Sequence, residues 1–264
     1  MVTVQQTPSP AFLSLCWEVF FASRGRGISL GKHFPWLHTP ATAYFVSLGA
    51  GTATHAGCAV KFLDDKGRDA RGGAIGLVCV DEPNRGKGYS TLVLEHAIAH
   101  AERIGLADLV LWTAKPGVYG RHGFRSEDNG VFGEVSSPPR ALTHSSAATQ
   151  STWPDVNETR GLPPFASAGY RWRTATASAI VLHDARGPIL AEWEGTEAAV
   201  ADLLEHVMPS IWRINAFADD PLLATLVDRN CNTDLRPSNL QMIRSLRGDT
   251  SLAPNYGLRV LDRI

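Results

Sequence analysis

The 264-residue chain has no excess of either charge: 25 Lys and Arg stand against 26 Asp and Glu, a formal net charge of −1. Neither sign is available in bulk to bind a polyanion or an anionic membrane surface, so nucleic-acid and membrane partners are not expected. No run of 18 apolar residues occurs, so no membrane-spanning helix is predicted, and Met1 to Pro10 lacks the basic-then-apolar order of a secretory signal. The four cysteines, Cys16, Cys58, Cys79 and Cys231, form no C-x-x-C pair and have no histidine cluster beside them. They read as reduced, buried thiols of a cytoplasmic protein, and no metal site is expected. What the chain does have is 44% hydrophobic residues and 19% charged residues, the balance of a globular protein with a real core.

Texture divides the chain into residues 1–133, a Pro/Ser-rich stretch at 134–169, and residues 170–264. The middle stretch carries Ser136-Ser137-Pro138-Pro139, Ser145-Ser146-Ala147-Ala148, Pro154 and Pro163-Pro164, the composition of a linker or long loop. Asn157-Glu158-Thr159 fits a glycosylation pattern, but without a secretory signal the match reads as chance.

In the first part, Phe12, Leu13, Leu15, Cys16, Val19 and Phe20 recur at helical spacing, and Gly25-Arg26-Gly27 ends that helix. Ala43 to Leu48 and Cys58 to Leu63 predict strands, and Asp64-Asp65-Lys66-Gly67 a hairpin turn. The continuous apolar run from Ala74 to Val80 predicts a buried central strand. A polar loop follows, then a helix over Thr91 to Ile104 stopped by Gly105, then a strand over Asp108 to Thr113. The order is strand, Gly-containing loop, helix, strand.

The loop reads Pro83-Asn84-Arg85-Gly86-Lys87-Gly88-Tyr89-Ser90. Its glycines let backbone approach a ligand, the helix behind it presents free N–H groups, and Arg85 and Lys87 add positive charge, a combination suited to phosphate. It is not a P-loop, because Lys87 is followed by Gly88, and it lacks the third glycine of a dinucleotide fingerprint.

Arg85-x-x-Gly88-x-Ser90 resembles the R/Q-x-x-G-x-G/A acyl-CoA loop of the GNAT family of N-acetyltransferases, with Ser90 in the place of the usual small residue. Tyr119-Gly120-Arg121-His122-Gly123-Phe124 resembles the Y-x-x-x-G-F signature of the same family, about thirty residues on. The resemblance covers residues ~10 to ~133 and implies an α/β fold: a mixed, splayed β-sheet flanked by helices. It implies acetyl-CoA as cosubstrate and transfer of its acetyl group to an amine by direct attack. The pantetheine arm is expected along Val78, Cys79 and Val80, and the pyrophosphate on Arg85, Gly86, Lys87, Gly88, Tyr89 and Ser90. Tyr119 is the candidate acid for the leaving thiolate, since a positioned phenol can protonate it; packing against the cofactor is its other reading. Glu82, with Asp81, is the candidate base at the end of the central strand, or merely a loop-solvating carboxylate.

Other candidates read as structural. Cys79 is a buried strand thiol without a paired histidine. His122 reads as a surface helix residue. His96 and His100 lie four apart on a helix with no adjoining Glu, so they read as a solvated face. Phe34-Pro35-Trp36-Leu37-His38 suits either an acceptor pocket or ordinary packing.

After residue 170, strands are predicted at Ala179–His183, Ile189–Trp193, Ile211–Phe217 and Asn239–Leu246, with helices at Glu197–Val207 and Pro221–Arg229. This order is similar to the second half of a GNAT domain. It lacks the R-x-x-G-x-G/A loop: Gly195-Thr196-Glu197 puts an acid where phosphate would sit. A degenerate second unit that binds no CoA is expected. The function expected of the whole is acetylation of a small-molecule amine by a monomer or homodimer. A protein or peptide N-acetyltransferase and a non-catalytic acyl-CoA sensor are the alternatives.

Overall fold

The computed structural model describes residues 1–25, 27–64, 71–138, 148–156, 158–247 and 256–263. Arg26, Asp65 to Gly67 of the predicted turn, Pro139, Ser145 to Ala147 and Asn157 lie outside the described residues. The chain opens with strand β1 (Val2–Gln5), helix α1 (Pro10–Phe20) and a short helix α2 (Leu30–His33). Strands β2 (Ala43–Ala50), β3 (Ala53–Asp64) and β4 (Arg71–Val80), helix α3 (Tyr89–Arg103), strand β5 (Asp108–Trp112), the short helix α4 (Pro116–Gly120) and strand β6 (Arg125–Ser126) follow. Then come β7 (Gly130–Ser136), β8 (Thr149–Thr152), β9 (Ala168–Arg173), β10 (Ala177–Asp184) and β11 (Gly187–Gly195). Helix α5 (Glu197–Val207), β12 (Ile211–Phe217), helix α6 (Pro221–Asp228), β13 (Asn232–Pro237) and β14 (Gln241–Ser245) complete the regular structure.

Two sheets of seven strands result, ordered β1-β2-β3-β4-β5-β14-β6 and β13-β7-β12-β11-β10-β9-β8. On the first sheet, α3 buries Val93, Leu94, Ala97, Ile98 and Ala101, one helical stripe, against Tyr44, Val46, Cys58, Val60 and Leu109. The opposite face receives α1, which starts where Ser9 Oγ accepts from Phe12 N at 3.1 Å and Pro10 takes the first turn. Phe12 sits directly on Gly57, where a Cβ would lie 2.6 Å from its ring. Phe34, Trp36 and Leu37 join this cluster as packing residues.

The sheets exchange strands. The last strand among the described residues, β14, pairs with β5 from Gln241↔Trp112 to Ser245↔Asp108, in the first sheet rather than among the strands that precede it. Reciprocally, β7 leaves the first sheet and inserts between β12 and β13. Asp128 clasps the crossing point: its carboxylate accepts from Gly130 N at 2.8 Å, Leu240 N at 2.7 Å and Gln241 N at 3.1 Å. Burial pushes this carboxyl up, but the backbone N–H donors outweigh it and hold the group below its ordinary range.

The Pro/Ser-rich stretch is partly regular. Its β8 pairs with β9, Trp153 is fully buried, and the indole donates to Glu158 Oε2 at 3.1 Å. Glu158 also pairs with Arg160 and Arg171 at 3.1 Å each. Burial pushes Glu158 up, but hydrogen bonds from Arg160 and Trp153 win, bringing it from its ordinary 4.5 down to about 2. A carboxyl depressed in the folded state contributes stability that is complete above its unfolded value and lost as pH falls through the folded one. Urea unfolding is therefore expected to show stability falling between about pH 4.5 and 2, with a shallower fall for Glu158→Gln. Parallel acid limbs in the two proteins would remove this network from the stability of the fold.

Candidate active site

β4 and β5 run parallel but pair only at Gly73↔Leu109 and Ala74↔Val110. Beyond Ala74 the strands diverge, which leaves one edge of β4 without a neighbour from Ile75 to Val80 while its other edge stays paired to β3. A bulge in β4 sits in this stretch: Gly57 faces Cys79 and Ala59 faces Gly76, so Leu77 and Val78 together oppose Cys58. Leu77 adopts φ 52°, a left-handed conformation that is rare for a branched side chain and marks local strain.

The loop leads from this open edge into α3. Gly86 and Gly88 have φ of 79° and 78°, and a Cβ at either would meet nothing within 4 Å, so both face open space. Gly88 is the N-cap of α3, with no side-chain cap and no acid in the first turn. The free N–H groups and positive dipole end of a long helix thus point outward beside the exposed Arg85 and Lys87. Lys87 Nζ donates to Asn84 Oδ1 at 2.8 Å. An open strand edge followed by an uncapped, glycine-lined helix start fits a long ligand with a diphosphate: backbone pairing for its arm, N–H donors for its phosphates.

Val78, Val80, Tyr89 and Tyr119 all border one core cluster on the α3 side of the first sheet, so the structure brings these sequence-predicted residues together. Tyr119 projects from α4, half-buried, with its ring edge-on to Phe124 at 6.2 Å. Burial raises its phenol above the ordinary value, and the Cys58 thiol adds to this. Gly123, at φ 79°, makes the tight turn that returns the chain to Phe124.

Cys79 faces the other side of the sheet, its Sγ 3.8 Å from Cys16 Sγ. Burial first, then the contact with Cys79, pushes the Cys16 thiol up, as befits an inert packing pair. Glu82 is exposed at the start of a 3-10 turn and has no side-chain partner among the described residues. Asp81 is engaged instead: Oδ2 lies 3.0 Å from His55 Nδ1 and 2.9 Å from Asn84 Nδ2. Burial pushes Asp81 up, yet the bonds from His55 and Asn84 hold it below its ordinary value. This clasp fixes the turn ahead of the glycine-containing loop. Sequence reasoning missed His55, whose only signal is its β3 register opposite the end of β4.

His122 is a correction. It is not a surface helix residue but only 8% exposed, in the turn after α4, with Nε2 lacking a partner among the described residues. Arg244 of β14 donates to its carbonyl at 2.6 Å, so the exchanged strand covers it.

The second sheet repeats the geometry without the site. β11 and β12 are parallel and pair only at Ile189↔Arg213 and Leu190↔Ile214. At its helix, however, Thr196 Oγ1 accepts from Ala199 N at 3.3 Å and Glu197 occupies the first turn, so the dipole end is already satisfied. Past the last paired residues, the Arg259 guanidinium lies 3.7 Å over the Trp193 ring of β11 and 5.6 Å from the Phe217 ring of β12. Its Nη2 donates to Asp220 at 3.0 Å. The chain's own segment occupies the second divergence.

Among the described residues, no group of three or more His, Cys, Asp or Glu is placed to hold a metal ion, and no helix is long and apolar enough to cross a membrane.

Two parallel strands that part beside an uncapped helix are the geometry of a GNAT-like fold, and the comparisons point to the same fold. Residues 11–124 match the model of the acetyltransferase (GNAT) family. No curated protein matches the sequence. The fold is similar to a GCN5-related N-acetyltransferase from Kribbella flavida at TM-score 0.65 and 12% identity, over 93% of this chain and 71% of that one. It is similar to Eis1 from Mycobacterium abscessus at TM-score 0.61 and 11% identity, over 92% and 74% of the two chains. A tandem GNAT protein from the clavulanic acid biosynthesis pathway aligns over 95% of this chain and 100% of its own, at TM-score 0.52 and 10% identity. The GNAT family match thus covers residues 11–124, within a two-sheet fold similar to that of the tandem GNAT protein.

Proposed function

We propose that the protein is an acetyl-CoA-dependent N-acetyltransferase that acetylates a small-molecule amine by direct attack. The observation that carries this reading is the open edge of β4 leading into the uncapped start of α3. Acetyl-CoA, when bound, supplies an activated acyl thioester. The backbone of Val78, Cys79 and Val80 pairs with its arm, and the N–H groups of Arg85 to Ser90 hold its diphosphate, with Arg85 and Lys87 adding charge. Tyr119 donates its phenol proton to the leaving sulfur. Because burial keeps the phenol protonated, the acid is available throughout the neutral range. With Asp81 committed to His55 and Asn84, Glu82 is the free carboxylate at the end of β4 and takes the proton of the attacking amine. The near-zero net charge favours a small acceptor over a strongly cationic protein tail. Four free thiols suit a reducing, cytoplasmic setting.

The second sheet, built from β7 to β13 with α5 and α6, rather than residues 170–264 as such, forms a second GNAT-like unit that binds no CoA, a reading supported by the Thr196 cap and the Arg259 plug. The test is release of free thiol from acetyl-CoA over a panel of small amines and peptide N-termini. Turnover with small amines is expected. Turnover with peptides alone would replace the acceptor class, and acetyl-CoA binding without turnover on any acceptor would replace the enzyme by a sensor.

A further inference from the structure

The loop between β4 and α3 carries two glycines at positive φ, Gly86 at 79° and Gly88 at 78°, so its own backbone restrains it little. Among the described residues, the side-chain hydrogen bonds of residues 81–88 form one chain, and that chain starts outside the loop. It begins at His55 of β3, whose Nδ1 lies 3.0 Å from Asp81 Oδ2. Asn84 Nδ2 donates to the same oxygen at 2.9 Å. On its other side, Asn84 Oδ1 accepts from Lys87 Nζ at 2.8 Å. Asp81 Oδ1 is buried without a partner among the described residues, so both donors converge on Oδ2, side by side at 3.2 Å.

Each link sets the next. A carboxylate oxygen at this distance requires a proton on His55 Nδ1. The same carboxylate fixes the orientation of the Asn84 amide, because the opposite flip would set oxygen against oxygen. With Nδ2 turned to Asp81, Oδ1 is turned to Lys87. The ammonium spends one of its three N–H donors on Asn84 and keeps two. His55 is itself held to the sheet, since Asp81 N donates to its carbonyl at 2.9 Å. The exposed Lys87, on a loop with two permissive glycines, is thus tied to a strand.

We propose that His55 is a positioning residue for the cofactor, acting through Asp81 and Asn84 to hold Lys87 in place for the diphosphate. The inference rests on the acetyl-CoA reading above. Binding then does not have to order a free lysine, and the entropy of that ordering is spared.

The test is calorimetric titration with acetyl-CoA of the full chain as parent, His55→Ala, Lys87→Gln and the double variant, each checked by thermal melting. His55→Ala is expected to weaken binding about fivefold or more. Asn84→Ala breaks the same chain in the turn, away from the sheet, and is expected to match that loss. Lys87→Gln is expected to weaken binding too, and the double variant is expected to lose clearly less than the product of the two single losses. A merely structural role for His55 would give no such coupling. His55→Asn carries an N–H on the atom after Cγ, as imidazole does at Nδ1, and is expected to bind within about twofold of the parent. Unchanged affinity in His55→Ala or in Asn84→Ala, losses that multiply in the double variant, or no recovery in His55→Asn overturns the inference and leaves the acetyl-CoA reading standing. A parent that binds no acetyl-CoA overturns both.

Discussion

Tyr119→Phe is expected to lower kcat about tenfold or more while acetyl-CoA affinity stays within about twofold. The substitution removes one oxygen and keeps the ring, so the edge-on contact with Phe124 and the border of the α3-side cluster survive. What is lost is the proton at the point where a thiolate departs. A tenfold loss corresponds to about 1.4 kcal/mol of transition-state stabilisation. That is the low end of what a positioned general acid supplies, because a thiolate is a tolerable leaving group even without help. Stopped thiol-release assays with saturating acetyl-CoA read kcat directly, and titration reads affinity separately. An unchanged rate would leave Tyr119 as a packing residue only.

The second large effect concerns the loop. Gly88→Val is expected to weaken acetyl-CoA binding about a hundredfold, close to 2.8 kcal/mol. Gly88 holds φ 78° at the N-cap of α3, a conformation that costs a side-chain-bearing residue about 1–2 kcal/mol. The added branched side chain would project into the open space before the helix, where the free N–H groups must meet phosphate. Two consequences combine: the helix start is displaced, and the approach to it is narrowed. Thermal melting should show a folded protein with a modest loss of stability, since no neighbour is struck. The control lies within the same chain. Thr196→Ala opens the capped start of α5 and is expected to leave acetyl-CoA affinity unchanged, because the Arg259 segment occupies the strand divergence beside that helix. Equal affinity in Gly88→Val and the parent would remove the loop from the cofactor site.

Much of this architecture is local, and local features are legible in a sequence. The stripe of Phe12, Leu15 and Cys16 made α1, and the apolar run ending at Val80 made a central strand because both of its faces are covered. The loop and the Tyr119 to Phe124 turn carry their glycines where positive φ is needed, so their conformations follow from residue type. The strand exchange is a different matter. β13, Asn-Thr-Asp-Leu-Arg-Pro, is an edge strand with mostly exposed side chains, so it carries no hydrophobic alternation to read. β7 has glycines at 130 and 133, and β13 passes so close that a Cβ on Gly133 would lie 1.9 Å from the Asp234 carbonyl oxygen. That close approach selects glycine, which reads as a loop signal in isolation. The destination of β14 depends on pairing with residues some 130 positions earlier, about which periodicity is silent.

The site shows the same division. The loop residues are legible from their glycines and charges, and those of the central strand are named through the resemblance to the GNAT motif. The Asp81–His55 clasp is not legible, because it depends on the register of β3 against β4. His122 misled because it stands in a polar run, and only the arrival of Arg244 on β14 explains its burial. The Arg259 plug combines both difficulties, joining three distant segments through a stacking contact with no sequence signature.

The chain has two divergent strand pairs, and the proposed function requires one working cofactor site. Calorimetric titration with acetyl-CoA tests that most directly, through its stoichiometry. One equivalent per chain is predicted, lost or greatly weakened in Gly88→Val. No binding, or two equivalents per chain, would contradict the account.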